Sequence, residues 1–295
     1  MKLTVFNNYR VGVVEGDDLY DVTSAIPDAS ADWPPVFMNR VIAQWDHFKP
    51  AIEQARRLAQ PVAINSVQLL APNPCPIHVI AAPANYRKHI AEMGELAVTA
   101  KGKTAKEQGF FMKSTASLTG AFRGIELPRA ADRRFDHESE LAVIIGKVTR
   151  GVSREQALES VFGYSCLIDV TMRIQPGTPG EERVLRKSFE TFTPMGPWII
   201  TADEVPDPQA LKNQLFVNGE LRQDAHTSDM IVDVAGLISL ASSVMTLYPG
   251  DVIASGTPQG IGPIQPGDTV TIRIERVGEL TVPVTLVAPG TPFPF

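Results

Sequence analysis

The chain has 295 residues, with 27 Lys and Arg against 33 Asp and Glu, a formal charge of −6 when its five histidines are neutral. An acidic chain is poorly equipped to neutralise phosphates, so no nucleic-acid partner is expected; 44% hydrophobic and 20% charged residues exclude disorder as the main state. The start, Met1 to Asn8, has no apolar h-region, no later run approaches the roughly 20 apolar residues that cross a bilayer, and two cysteines make neither a disulfide framework nor a zinc site, so a reduced cytoplasm and no membrane partner are expected.

Short apolar runs at Leu3 to Phe6, Arg10 to Val14 and Leu19 to Val22, with the turn Glu15-Gly16-Asp17-Asp18, predict a small β-meander. Val36, Ile42, Trp45, Phe48, Ile52 and Ala55 then recur at roughly helical spacing. Pro72, Pro74 and Pro76 forbid helix continuation and central-strand pairing, which places a boundary near residues 70 to 76, between a small N-terminal domain (1–72) and a larger one (73–295). Beyond it the spacing predicts strands at His78 to Ala82, Leu141 to Ile145, Gly163 to Ile168, Trp198 to Thr201 and Val270 to Ile274. Asn218-Gly219 marks a type I′ hairpin, Ser153-Arg154-Glu155-Gln156 reads as a capping box opening a short helix, and Met230 to Leu247 reads as a buried helix. Strands punctuated by helices without a steady βαβ rhythm point to a mixed, mainly β architecture.

The chemistry concentrates in Asp136-His137-Glu138-Ser139-Glu140-Leu141-Ala142-Val143-Ile144-Ile145-Gly146. On a strand the side-chain period of two puts Glu138 and Glu140 on one face, about 7 Å apart, with Asp136 pointing the same way. Like charges so placed fit a wet strand end or a cation. Asp169, closing the apolar run Gly163 to Ile168, is a third oxygen donor or else a helix N-cap. Three carboxylates without Cys or paired His favour Mg²⁺, Mn²⁺ or Ca²⁺ over zinc. His89 and Glu92 stand at i, i+3, where the carboxylate can orient the imidazole as a general base. Lys187 reads equally as a solvated lysine. Gly256-Thr257-Pro258-Gln259-Gly260-Ile261-Gly262 lacks the P-loop ending and reads as a tight turn.

In order and spacing these segments resemble the fumarylacetoacetate hydrolase family from about residue 76 to 287. The carrying motifs are Asn85-Tyr86 with His89 and Glu92, Phe111-Met112-Lys113, His137 to Gly146, Gly163-Tyr164 to Asp169-Val170 with Arg173, Lys187-Ser188-Phe189, and Pro249-Gly250-Asp251-Val252-Ile253 leading to Gly256-Thr257-Pro258. The resemblance implies a β-sandwich roll of the family's type after a small N-terminal α/β domain, a homodimer, and one divalent ion, Mg²⁺ or Mn²⁺, held by Glu138, Glu140 and Asp169. It implies His89 and Glu92 as a water-activating dyad, Lys187 as the cation polarising substrate oxygen, and Tyr86, Lys113, Arg173 and Thr257 as substrate-binding positions. The sequence departs from the family's pattern at Ile168, Ile174 and Glu190. Residues 94–109, with Lys101, Lys103 and Lys106, make a longer connection than usual, read as a cationic lid over a carboxylate substrate or as an idle loop.

The implied enzyme is a metal-dependent hydrolase in which His89 activates water, a carbon–carbon bond of an acylpyruvate or other 2,4-diketo acid breaks, and Lys187 stabilises the departing enolate. Two alternatives stand beside it. One is decarboxylation of a β-keto acid or isomerisation of a 2-hydroxy-dienoic acid in aromatic or sugar-acid catabolism, which needs the same ion without water. The other is a non-catalytic protein holding a divalent ion.

Overall fold

The computed structural model describes residues 1–27, 33–94, 102–130, 133–174 and 182–293. Four strands, β1 (Lys2–Phe6), β2 (Arg10–Glu15), β3 (Asp18–Asp21) and β4 (Pro61–Ala63), open the chain, with helices α1 (Phe37–Ala43) and α2 (Trp45–Leu58) between β3 and β4. There follow β5 (Val79–Ala81), α3 (Arg87–Met93), α4 (Ala105–Gln108), β6 (Phe111–Lys113), β7 (Leu118–Thr119), β8 (Ile125–Leu127), β9 (Phe135–His137), β10 (Ser139–Ile145), β11 (Val161–Ile168), β12 (Thr171–Met172) and α5 (Arg183–Arg186). The last third runs β13 (Thr193–Thr201), β14 (Lys212–Val217), β15 (Glu220–His226), α6 (Val234–Val244), β16 (Val252–Ala254), β17 (Gly262–Pro263), β18 (Thr269–Ile274) and β19 (Gly278–Leu286). No described helix is long and apolar enough to cross a membrane.

The strands form a large sheet in the order β4-β3-β2-β1-β13-β11-β10-β16-β5-β6 with β7 on β13, a second sheet β15-β14-β18-β19-β8, and a small one β12-β9-β17. Every residue of β10 is buried, and its alternation sorts the core into two layers. Leu141, Val143 and Ile145 pack with Leu215, Ile272 and Val282 of the second sheet; Ala142 and Ile144 pack with Phe37, Ile42 and Ile52 of α1 and α2. The mainly β architecture read from the sequence is therefore a sheet-on-sheet sandwich with helices on its outer face. The N-terminal strands continue the large sheet, because Lys2 and Leu3 pair with Ile200 and Ile199. The large sheet thus runs across the boundary expected near residues 70 to 76.

Several local expectations are realised as drawn. The meander is β1 to β3, and Asn218 (φ 53°) and Gly219 (φ 81°) make the tight turn between β14 and β15. Others are corrected. The helical stretch 36–55 is two helices, broken at Gln44, which caps both. Ser153 opens no capped helix: residues 154–156 are a turn, followed by a 3-10 turn at Ala157–Ser160. The span is pinned at both ends, since the Val152 amide donates to the Ser242 hydroxyl and β11 starts at Val161. The buried helix runs only from Val234 to Val244, because the Asp233 side chain caps it at the Gly236 amide while Ile231 and Val232 bond to Asn85. Residues 95–101 of the lid segment, with Lys101, lie outside the described residues; 102–109 contain α4, opened by a Thr104/Glu107 capping box.

Gly163 is where β11 meets β13 most tightly. A Cβ there would stand 2.1 Å from the Ile200 carbonyl oxygen and 2.9 Å from Ile199. Gly163→Ala is expected to lower the free energy of unfolding by about 1–3 kcal/mol, read as a lower urea midpoint; an unchanged midpoint would show that the two strands are not so closely apposed.

Candidate functional site

Strand register builds the acidic cluster. Ser139 of β10 pairs with Ile168 of β11, and the Asp169 amide donates to the Glu138 carbonyl at 2.8 Å, so the residue before β10 and the residue after β11 are forced side by side. Glu140, two positions on, shares the face of Glu138. Oxygens of Glu138, Glu140 and Asp169 lie within 4.8 Å of one another, and all three residues are buried. Asp169 caps no helix, since β12 follows it. Asp136 does not join the cluster: it is buried in β9 and bonded by Arg134 (2.7 Å) and Arg173 (2.6 Å).

Three buried cations surround the cluster. The Lys187 ammonium donates to Glu138 (2.7 Å), Asp169 (2.6 Å) and the Thr171 hydroxyl (2.6 Å), which commits its three protons. The Lys113 ammonium donates to the other Asp169 oxygen at 2.5 Å and to the carbonyls of Lys187 and Phe192. Arg173 spans Asp136 and Glu138, both at 2.6 Å. Burial opposes the charge on Glu138, but Lys187 and Arg173 outweigh it and hold this carboxyl well below its ordinary range. Glu140 goes the other way. Burial and then the like charge of Asp169 push its carboxyl up, and its only hydrogen-bond donor among the described residues is the Gly256 amide at 2.8 Å. A buried carboxylate cluster with one member short of a counter-charge, and oxygen donors only, fits a hard divalent cation.

A cavity of ≈120 Å³ opens over the cluster. Glu138, Glu140, Asp169, His89, Lys187, Arg173 and Thr257 line it, which brings together seven of the ten residues singled out in the sequence. Thr257 is fixed by Gln223, whose amide donates to the threonine hydroxyl at 2.8 Å and accepts from the Ser139 amide at 2.9 Å. The other three stand back from the cavity wall. Lys113 lies behind Asp169 as its counter-ion. Tyr86 is buried at the start of α3, its hydroxyl without a hydrogen-bond partner among the described residues and its ionisation pushed upward by burial and by Glu140. Glu92 sits on the far side of His89, its carboxylate accepting from the Gly260 amide at 3.0 and 3.1 Å.

The i, i+3 spacing on α3 does bring Glu92 to His89, at 3.5 Å from Nδ1, an electrostatic pairing too long for a good hydrogen bond. Burial raises the Glu92 carboxyl, but the imidazole and the Gly260 amide outweigh it, so it lies below its ordinary value and stays ionised beside the ring. The tight turn expected at Gly256-Thr257-Pro258 follows β16, and Gly256 adopts φ 91°, which presents its amide to Glu140. Sequence reasoning missed Gln223, on a distant hairpin strand, and the cavity residues Gln108, Arg183 and Arg186. Arg183 and Arg186 stood beside Lys187 in a stretch whose two extra cations were the available signal.

Comparison with known proteins points to one family. The family description "Fumarylacetoacetate (FAA) hydrolase C-terminal" matches residues 78–285. The maleylpyruvate hydrolase of Aquipseudomonas alcaligenes is 43% identical over 97% of this chain and 100% of its own. The structure of maleylpyruvate hydrolase from Sphingobium sp. SYK-6 with manganese(II) and pyruvate superposes with a TM-score of 0.85 at 42% identity, covering 97% of this chain and 99% of that one. The 2-hydroxyhepta-2,4-diene-1,7-dioate isomerase from Mycobacterium marinum gives a TM-score of 0.65 at 36% identity, over 79% of this chain and 82% of that one.

Mutating Glu138→Gln together with Glu140→Gln removes two of the three charges that a divalent ion would need. Calorimetry with Mn²⁺ should give a binding isotherm for the parent and none for the double variant; equal affinity in both would place the ion elsewhere.

Proposed function

The chain belongs to the fumarylacetoacetate hydrolase family, and from that membership we propose that it is a divalent-metal-dependent hydrolase cleaving a carbon–carbon bond of an acylpyruvate. The observation that carries the reading is the buried triad Glu138, Glu140 and Asp169 on the floor of a cavity whose wall includes His89. Maleylpyruvate, the substrate named for two relatives covered over nearly their whole length, is the first acylpyruvate to try. The finer parts of the proposal are Mg²⁺ or Mn²⁺ as the ion, a homodimer, and a cytoplasmic setting; manganese in the Sphingobium relative supports the first.

The bound ion supplies Lewis-acid polarisation of the substrate's keto-acid oxygens. The remaining work falls to side chains. His89 takes a proton from water, and the ionised Glu92 beside it favours the imidazolium that results. Hydroxide adds to the acyl carbonyl, the bond from that carbon to the methylene breaks, and its electron pair passes to the pyruvate half as an enolate. That enolate takes a proton at the methylene carbon, so the products are a carboxylic acid and pyruvate. Lys187 and Arg173 place positive charge where the enolate develops. Lys187 can turn a proton toward substrate only by giving up one of its three present acceptors. Glu138, Glu140 and Asp169 would hold the ion, and with two of its acceptors engaged as ligands Lys187 would turn a proton toward substrate.

Enolisation without hydrolysis, the chemistry of the M. marinum isomerase, would need no water-directed base. The His89 and Glu92 pair favours hydrolysis. Mn²⁺-loaded protein should therefore discharge the ultraviolet enol absorbance of acylpyruvates with stoichiometric pyruvate. His89→Ala should keep its Mn²⁺ affinity and lose about 10²-fold or more in kcat. A variant hydrolysing as fast as the parent would remove His89 from the mechanism.

A further inference from the structure

The cavity wall holds a further cation that the chemistry above leaves unused. Arg183, on α5, is half-buried in the cavity wall. Its guanidinium lies 5.3 Å from the centre of the Phe111 ring, and the Lys187 ammonium lies 5.6 Å from the centre of the same ring. The two cations therefore stand no more than about 11 Å apart, the sum of those distances. Arg183 makes no salt bridge among the described residues; its hydrogen bond goes to the Gln108 amide oxygen at 3.0 Å. Gln108 cannot easily turn away, because its own amide nitrogen donates to the Lys103 carbonyl at 2.6 Å. Burial weakens the charged state of Arg183, with Glu138 and Asp169 opposing that effect from a distance, so a bound anion would relieve a desolvation cost already incurred. The cavity wall also carries the apolar side chains of Ile90, Met93 and Ile174.

We propose that Arg183, positioned by Gln108, reads a second carboxylate at the far end of the acyl group, so that the cavity selects dicarboxylic acylpyruvates. This rests on the hydrolase reading and names the group that recognises the substrate's distal half. A guanidinium presents a planar pair of donors that matches a carboxylate, and those apolar side chains accommodate the connecting carbons. Maleylpyruvate, a seven-carbon diacid, spans at most roughly 7.5 Å between its carboxyl carbons with carbon–carbon bonds near 1.5 Å, within the limit of about 11 Å between the Arg183 and Lys187 cations.

The test uses Mn²⁺-loaded enzyme with maleylpyruvate and with acetylpyruvate, which ends in a methyl group. Arg183→Met should lose about 10- to 100-fold in kcat/KM on maleylpyruvate, mostly through KM, and stay within about threefold on acetylpyruvate. Gln108→Ala, which keeps the guanidinium, should lose less, on maleylpyruvate only. Arg183→Lys should recover part of the loss. Equal losses on both substrates, or none on either, would overturn the assignment of Arg183 and leave the hydrolase reading standing. A parent enzyme inert on both substrates would overturn the hydrolase reading and this assignment with it.

Discussion

Three carboxylates crowded within 4.8 Å in a buried place set the terms for the rest of the molecule. Two unit charges 4 Å apart repel by about 4 kcal/mol even at an effective dielectric of 20, so such a cluster persists only if the fold fixes it and supplies counter-charge. Fixation comes from the ladder: β10 and β11 are buried along nearly their whole lengths, and their register leaves Glu138 and Asp169 no other place to be. Counter-charge comes from Lys187, Lys113 and Arg173, each reaching in from a different segment. The distribution is uneven. Glu138 and Asp169 are paired with side-chain cations, whereas Glu140 has a single backbone amide, so the demand for one more positive charge is localised at the carboxylate facing the Gly256 turn.

The acidic overall charge of −6 is thus a poor guide to the cavity. Five of the residues that line it, Lys103, Arg173, Arg183, Arg186 and Lys187, are cations, and with an ion on the triad the local sign would be positive. An anionic keto acid can enter an acidic protein because the acids are consumed as ligands and counter-ions below the cavity floor.

What was legible in the sequence is what depends on periods of two and on short spacings. The pairing of Glu138 with Glu140 follows from strand alternation, Asp169 from its place at the end of an apolar run, and the His89 to Glu92 approach from helical spacing; all three appear in the structure. The type I′ turn at Asn218-Gly219 is equally local. What failed was also local, and failed for a tertiary reason. The capping-box pattern at Ser153 gives only a turn and a 3-10 turn between the Val152 tether to Ser242 and the start of β11, and the expected helix from Met230 lost its first turn to hydrogen bonds with Asn85. Gln223 had no sequence signature. Its role exists only because β15 passes the Thr257 turn, and no spacing along the chain encodes that meeting.

The same contrast separates chemistry from recognition. The triad is held by central strands whose neighbours are all buried, so altering it disturbs the core of the sandwich. Gln108 and Arg183 sit at opposite ends of four-residue helices, α4 and α5, in segments that add no strand to either large sheet. A substitution there would alter the cavity wall at little cost to the strand register that positions the carboxylates. Lys187 joins the two parts: it is the residue after α5, bonded to the triad on one side and lying over Phe111 on the other. Any movement of α5 that shifts Arg183 would therefore be felt by the Lys187 ammonium. The groups proposed to read substrate length and to serve the reaction are thus joined through a stretch of five residues.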